Sequence, residues 1–134
     1  MFLINYANQA GPELRLTTAG NLFVKGTVSG RSSRESKTNI GSIDTDEAIE
    51  SLRNLQLHEW SYIDSPDRHL GPMAEDFHEI FGYGGRPDSI APSDLASLAL
   101  LSAQHLLEEN QGIREQNAEL RARLEQIELQ LGAR

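Results

Sequence analysis

The chain has 134 residues, a formal net charge of −8 and no cysteine. An acidic balance of this size speaks against a general binder of phosphate backbones, and without cysteine there are no disulfides and no thiolate metal sites. Hydrophobic residues make up 38% and aromatics 6%, so the chain builds at most one small domain plus an extended element, and oligomerisation is the expected source of further burial.

Met1-Phe2-Leu3-Ile4 opens the chain as an apolar run that breaks at Asn5. It is too short for a signal peptide, and no run elsewhere approaches a membrane span. Leu14-Arg15-Leu16-Thr17 alternates as a strand does, Ala19-Gly20-Asn21 signals a turn, and Leu22 to Val28 resumes a β-type run. Two short strands joined by a turn are not stable alone in water. They are expected to pair with a body upstream or with the same segment of other subunits, as at the end of a fibrous β protein.

Ser29 to Ser36 is a polar loop. Asp44-Thr45-Asp46-Glu47 has the form of a capping box, with Asp44 as N-cap, and the helix after it aligns Ala48, Ile49, Leu52 and Leu55. Gln56 to Ile63 alternates as a strand, with His58, Trp60 and Tyr62 on one face and Leu57, Glu59, Ser61 and Ile63 on the other. Ser65-Pro66-Asp67 marks a turn. Gly71-Pro72 predicts a second helix with proline in its first turn, carrying Met73, Phe77, Ile80 and Phe81 on its apolar face and ending at Gly82.

From about Ser93 the pattern is helical to the end. Leu95, Leu98, Leu100, Leu101, Leu106 and Leu107 encircle the first part, which predicts a helix packed on more than one side. The pattern then narrows to Leu106, Asn110, Ile113, Asn117, Leu120, Leu124, Ile127 and Leu131, a strict heptad seam. With Leu106, Ile113, Leu120 and Ile127 at d, the g-to-e′ pairs are Glu109–Arg114, Gln116–Arg121 and Arg123–Glu128, two of them oppositely charged, which favours parallel strands. Leu124 and Leu131 at a with Ile127 at d lean toward three or four strands; Asn at a leans toward two. The expectation is a parallel trimer. The alternative is a single amphipathic helix folded back on its own domain.

Lys37, one of two lysines in the chain, lies five residues after Ser32. A Ser–Lys pair can cleave an acyl bond without histidine when the lysine is held neutral beside the hydroxyl. Taken alone the spacing reads as a solvated loop before a helix, with Lys37 in a surface ion pair. Asn39 could donate to an oxyanion or cap the local turn. The four histidines, His58, His69, His78 and His105, include no i, i+4 pair, so zinc is not expected. Gly82 to Gly85 lacks the helix and lysine of a phosphate loop, so nucleotide binding is not expected.

Several segments together carry a family resemblance. They are Ser32-Ser33-Arg34, Lys37-Thr38-Asn39-Ile40, the Leu55-x-Leu57-x-x-Trp60-x-Tyr62 strand, Gly71-Pro72-Met73-Ala74-Glu75-Asp76-Phe77, and the long helix. The chain resembles the intramolecular chaperone domain of the S74 peptidase family, found at the C-termini of phage tail spikes, tail fibres and endosialidases. The resemblance implies an α+β fold: short N-terminal strands in 1–31 that end a fibre shaft, a small mixed domain in 32–92, and in 93–134 a long helix forming a parallel trimeric coiled coil. It implies a chaperone that trimerises the fibre or spike body upstream in the same chain, located on the virion and assembled in the host cytoplasm. It further implies self-cleavage between Arg31 and Ser32, with Ser32 as nucleophile and Lys37 as base. Asn39, His58 and His69 are candidates for supporting positions: His58 shares a strand face with Trp60 and Tyr62 and reads first as a core or interface residue, and His69 precedes Gly71-Pro72 in the resembling segment. Ser33 and Glu35 stand where the cleaving motif has Asp and Arg, with Arg34 one position away. The alternative is a non-cleaving trimerisation module that stays on the fibre. No metal, cofactor, nucleic acid or membrane is expected.

Overall fold

The computed structural model describes residues 2–4 and 14–133; Met1 and Asn5, which bound the apolar opening, lie outside them. The chain forms two compact units, residues 1–41 and 42–134.

The first unit holds a three-stranded antiparallel sheet of β1 (Phe2–Ile4), β2 (Leu14–Leu16) and β3 (Leu22–Val24), with β2 in the middle. The sequence signals foretell β2, β3 and the turn between them. They miss β1, because three apolar residues carry no periodicity. Phe2 faces Leu16 across the ladder, and Leu16 faces Leu22. In the β2–β3 turn the Thr17 amide donates to the Asn21 carbonyl at 2.9 Å, and the Thr17 hydroxyl accepts from the Asn21 amide at 3.0 Å. Gly20 there has φ +82°, where a side chain would be strained. Arg15 lies over the ring of Phe23, its cross-strand partner, 4.4 Å from the centroid. β3 ends at Val24 rather than Val28, because the chain bends at Lys25-Gly26.

The second unit is α1 (Thr45–Asn54), a hairpin of β4 (His58–Trp60) and β5 (His69–Gly71), α2 (Ala74–Phe81) and α3 (Pro92–Gly132). Asp44 caps α1 by accepting from the Glu47 amide at 3.0 Å. The expected strand of residues 56–63 shortens to His58–Trp60, and its partner β5 has no alternating pattern to announce it. The pairing His58↔Gly71 keeps the backbone extended through Gly71, so α2 starts at Ala74, not at Gly71-Pro72, with extended Met73 as its N-cap. Trp60, Tyr62 and His69 form one aromatic cluster: His69 stacks on Trp60 with centroids 4.6 Å apart, and Tyr62 meets Trp60 edge-on at 4.9 Å. Gly82 closes α2 at φ +66°, its amide on the His78 carbonyl at 2.8 Å, the left-handed cap that glycine supplies without Cβ strain.

α1 packs on both α2 and α3. The core between them is small: Ala48, Phe77 and Leu98 are the buried hydrophobics among the described residues, and Phe77 is 1% exposed. Phe81 packs against Phe77 with ring centroids 5.1 Å apart. The leucines at the start of α3 encircle it, but they do not pack on more than one side. Leu95, Leu98 and Leu101 are buried or half-buried, while Leu100, Leu106 and Leu107 are exposed. From Leu106 onward every described residue except Gly112 is exposed, so the helix is not folded back on its own unit.

Replacing Phe77 by alanine is expected to destabilise the second unit by about 3–5 kcal/mol, the range for a large buried aromatic. Gly82→Ala should cost about 1–2 kcal/mol through its left-handed backbone, and Asp44→Ala about 1 kcal/mol through the lost cap. Urea unfolding followed by helical circular dichroism measures all three; equal midpoints for Phe77→Ala and the parent would contradict this account of the core.

Candidate functional site

Residues 31–39 form the candidate site, and it is made locally. Ser33 is extended, with φ −64° and ψ 140°, and caps a single 3-10 turn, Arg34–Ser36. Its hydroxyl accepts from the Glu35 amide at 3.3 Å. Its carbonyl accepts from the Ser36 amide at 3.1 Å and from the Ser36 hydroxyl at 2.8 Å. The Lys37 amide then donates to the Arg34 carbonyl at 3.2 Å, and Lys37 returns to extended backbone. Three residues of 3-10 helix advance the chain by only about 6 Å, which an extended lysine side chain can span backward. Lys37 Nζ donates to Ser32 Oγ at 2.8 Å.

Both side chains of the pair are exposed. A lysine takes a proton from a hydroxyl only in its neutral form, which exclusion of water favours. The pair has the distance for proton transfer within the single chain.

Arg31 and Asn39 lie in the same unit as the pair. Asn39 has φ +52°, the left-handed region that asparagine tolerates better than most residues. His58 and His69 stand in the second unit, on facing strands of the hairpin. His58 is half-buried opposite Gly71, and the exposed ring of His69 rests on Trp60. Ser33 and Ser36 shape the turn, a role that neither the Ser–Lys spacing nor the family motif assigns to them. Their spacing fits the local side-chain-to-backbone bonding that serine favours, which is the signal that could have found them.

Along α3 the seam positions are open. Leu106, Ile113, Leu120, Leu124, Ile127 and Leu131 are 48–64% exposed, and Asn110 and Asn117 are exposed between them. Asn110 Nδ2 donates to the Leu106 carbonyl at 2.8 Å, and Arg123 pairs with Glu119 one turn earlier at 2.5 Å. Among the described residues no group of three or more His, Cys, Asp or Glu could hold a metal ion, and no helix is long and apolar enough to cross a membrane.

Residues 32–86 match the model of the family Peptidase S74, described as chaperone of endosialidase. The match begins at Ser32 and takes in Lys37, α1, the hairpin and α2. No curated protein matches the chain. Over residues 32–86 the chain is thus similar to the Peptidase S74 family, the chaperone of endosialidase.

Proposed function

We propose that this chain is the intramolecular chaperone of a phage or prophage tail fibre or spike, which joins three copies through α3, assists folding of the body upstream and is then released by cutting its own Arg31–Ser32 bond. The observation that carries the cleavage reading is the 2.8 Å contact between Lys37 Nζ and Ser32 Oγ at the start of the family match. The trimer reading is supported by the exposed heptad stripe of α3. The proposed place is the virion tail, reached after assembly in the host cytoplasm.

In the proposed reaction Lys37, neutral once covered, takes the proton of the Ser32 hydroxyl as Oγ attacks the Arg31 carbonyl carbon. The Arg31–Ser32 C–N bond breaks, and Lys37 returns the proton to the leaving Ser32 nitrogen. The resulting ester between Arg31 and Ser32 Oγ is hydrolysed by water, giving an Arg31 carboxylate and a new N-terminus at Ser32. No cofactor takes part. Exposure of the pair in the single chain ties the chemistry to assembly, since packing of other copies supplies the water exclusion that the base needs. A β-rich fibre with non-local pairing folds slowly, and a helical bundle forms faster and holds its chains together. A cut made only after assembly turns a folding aid into a kinetic trap for the mature fibre.

A second reading keeps the trimer and removes the cut. It is favoured by Ser33 and Glu35, which stand where the cleaving motif carries Asp and Arg. Mass spectrometry of the folded protein separates the two: a fragment beginning at Ser32, lost in Ser32→Ala and in Lys37→Ala, is expected. Only intact chain in an assembled sample would leave the retained module as the function. Light scattering should give three times the chain mass, and a monomer at all concentrations would contradict both readings. Refolding the fibre body with and without residues 32–134 should raise the native yield severalfold; equal yields would remove the chaperone role.

A further inference from the structure

Asn110 and Asn117 are the two polar positions of the α3 seam, and their surroundings differ. The Asn110 carboxamide donates to the Leu106 carbonyl of its own helix at 2.8 Å. The Asn117 carboxamide makes no such bond among the described residues. It is exposed, and with Arg114, Arg121 and Glu125 it lines one hollow on the helix surface. The two carboxylates nearest to it in sequence have other partners: Glu115 accepts from Gln111 at 3.1 Å, and Glu119 pairs with Arg123. Glu125, at b on the outer side of the helix, forms no ion pair with Arg121 among the described residues.

We infer that the Asn117 layer of the assembled α3 binds a small inorganic anion of the chloride class, which accepts from the Asn117 carboxamides and is balanced by Arg121. This rests on the proposed parallel trimer, in which the a side chains of three copies converge. At the Asn110 layer the donors have acceptors: the carboxamide holds its own helix, and the g-to-e′ rule sets Glu109 against Arg114. At the Asn117 layer both acceptors are missing. The same rule sets Gln116 against Arg121, so the guanidinium meets a neutral amide. Three carboxamides and three guanidinium groups then share a layer whose acceptors are amide oxygens alone, which leaves donors in excess. A buried donor without an acceptor is costly. A water molecule brings donors of its own, whereas an anion only accepts, and one anion on the axis serves three identical copies at once. Ile113 and Leu120, the d residues on either side, shield the layer from solvent. A charge in such a place needs a counter-charge, and Arg121 supplies it. An anion here also reconciles asparagine at a, which leans toward two strands, with the leucine and isoleucine layers that follow it.

Sedimentation of the full chain, which reads mass and affinity together, tests this in sodium fluoride and sodium chloride at equal ionic strength. Fluoride is the more strongly hydrated ion, and strongly hydrated anions are the better general stabilisers of burial. A gain in chloride is therefore opposite in sign to the general salt effect. Raising chloride to about ten times its Kd, found by titration, should raise the trimer association constant about tenfold. Asn117→Leu changes a side chain exposed in the single chain; it should stay trimeric and lose the chloride effect. Arg121→Gln should reduce that effect severalfold, and Asn110→Leu should keep it. Trimers of equal affinity in both salts, the result of carboxamides that bond only to one another, overturn the site and leave the trimer standing. So does a chloride effect of unchanged size in Asn117→Leu. A monomer in both salts overturns the trimer reading and the site with it.

Discussion

A shortage of buried apolar surface governs this protein. Among the described residues three hydrophobic side chains are buried while twenty large apolar or aromatic ones are exposed. Folding offsets the conformational entropy of its residues mainly by apolar burial, and Phe77 with a few half-buried neighbours supplies little of it. The three-stranded sheet of the first unit consists of three-residue strands, and in it Leu16, Leu22 and Phe23 stay exposed. On the proposed reading, a chain with this distribution gains further burial by association.

α3 shows how the shortage is organised rather than random. Its first turns carry apolar residues all round, yet the packing divides them into an inner side against α1 and an outer side open to solvent. The outer side is continuous with the heptad positions below it. One 41-residue helix, about 60 Å long at about 1.5 Å per residue, thus belongs to a small domain on one side and presents an unpartnered stripe on the other. On the proposed reading, the domain is fixed to the assembly through the helix it is built on, without a linker between them.

The Ser32–Lys37 pair answers to a different constraint. It is held by a 3-10 turn whose bonds come from Ser33, Ser36 and the backbone, so its geometry needs nothing from the second unit. The chemistry proposed for it, in contrast, needs water removed from an exposed amine. Local geometry that is ready and an environment that is not are the properties proposed for a site that acts once, after assembly. The same division accounts for the retained-module alternative: a pair that is never covered keeps its contact and does no chemistry.

Where periodicity is long, the sequence alone determined the outcome: the capped start of α1 at Asp44, the glycine stop of α2 at Gly82, and α3 with its heptad frame all follow from residue spacing. Residue spacing also located Ser32 and Lys37 as a pair, together with the family resemblance that residues 32–86 bear out. Three things waited for the tertiary structure. β1 and β5 are strands only because β2 and β4 lie beside them, since three residues hold no pattern of their own. The start of α2 moved to Ala74 because ladder pairing of Gly71 outweighs the helix preference of Gly-Pro. The leucines of α3 could not be sorted into an inner and an outer side until α1 was seen to occupy one of them. In each case the deciding energy is a contact between segments distant in the chain, and no local pattern of residues encodes it.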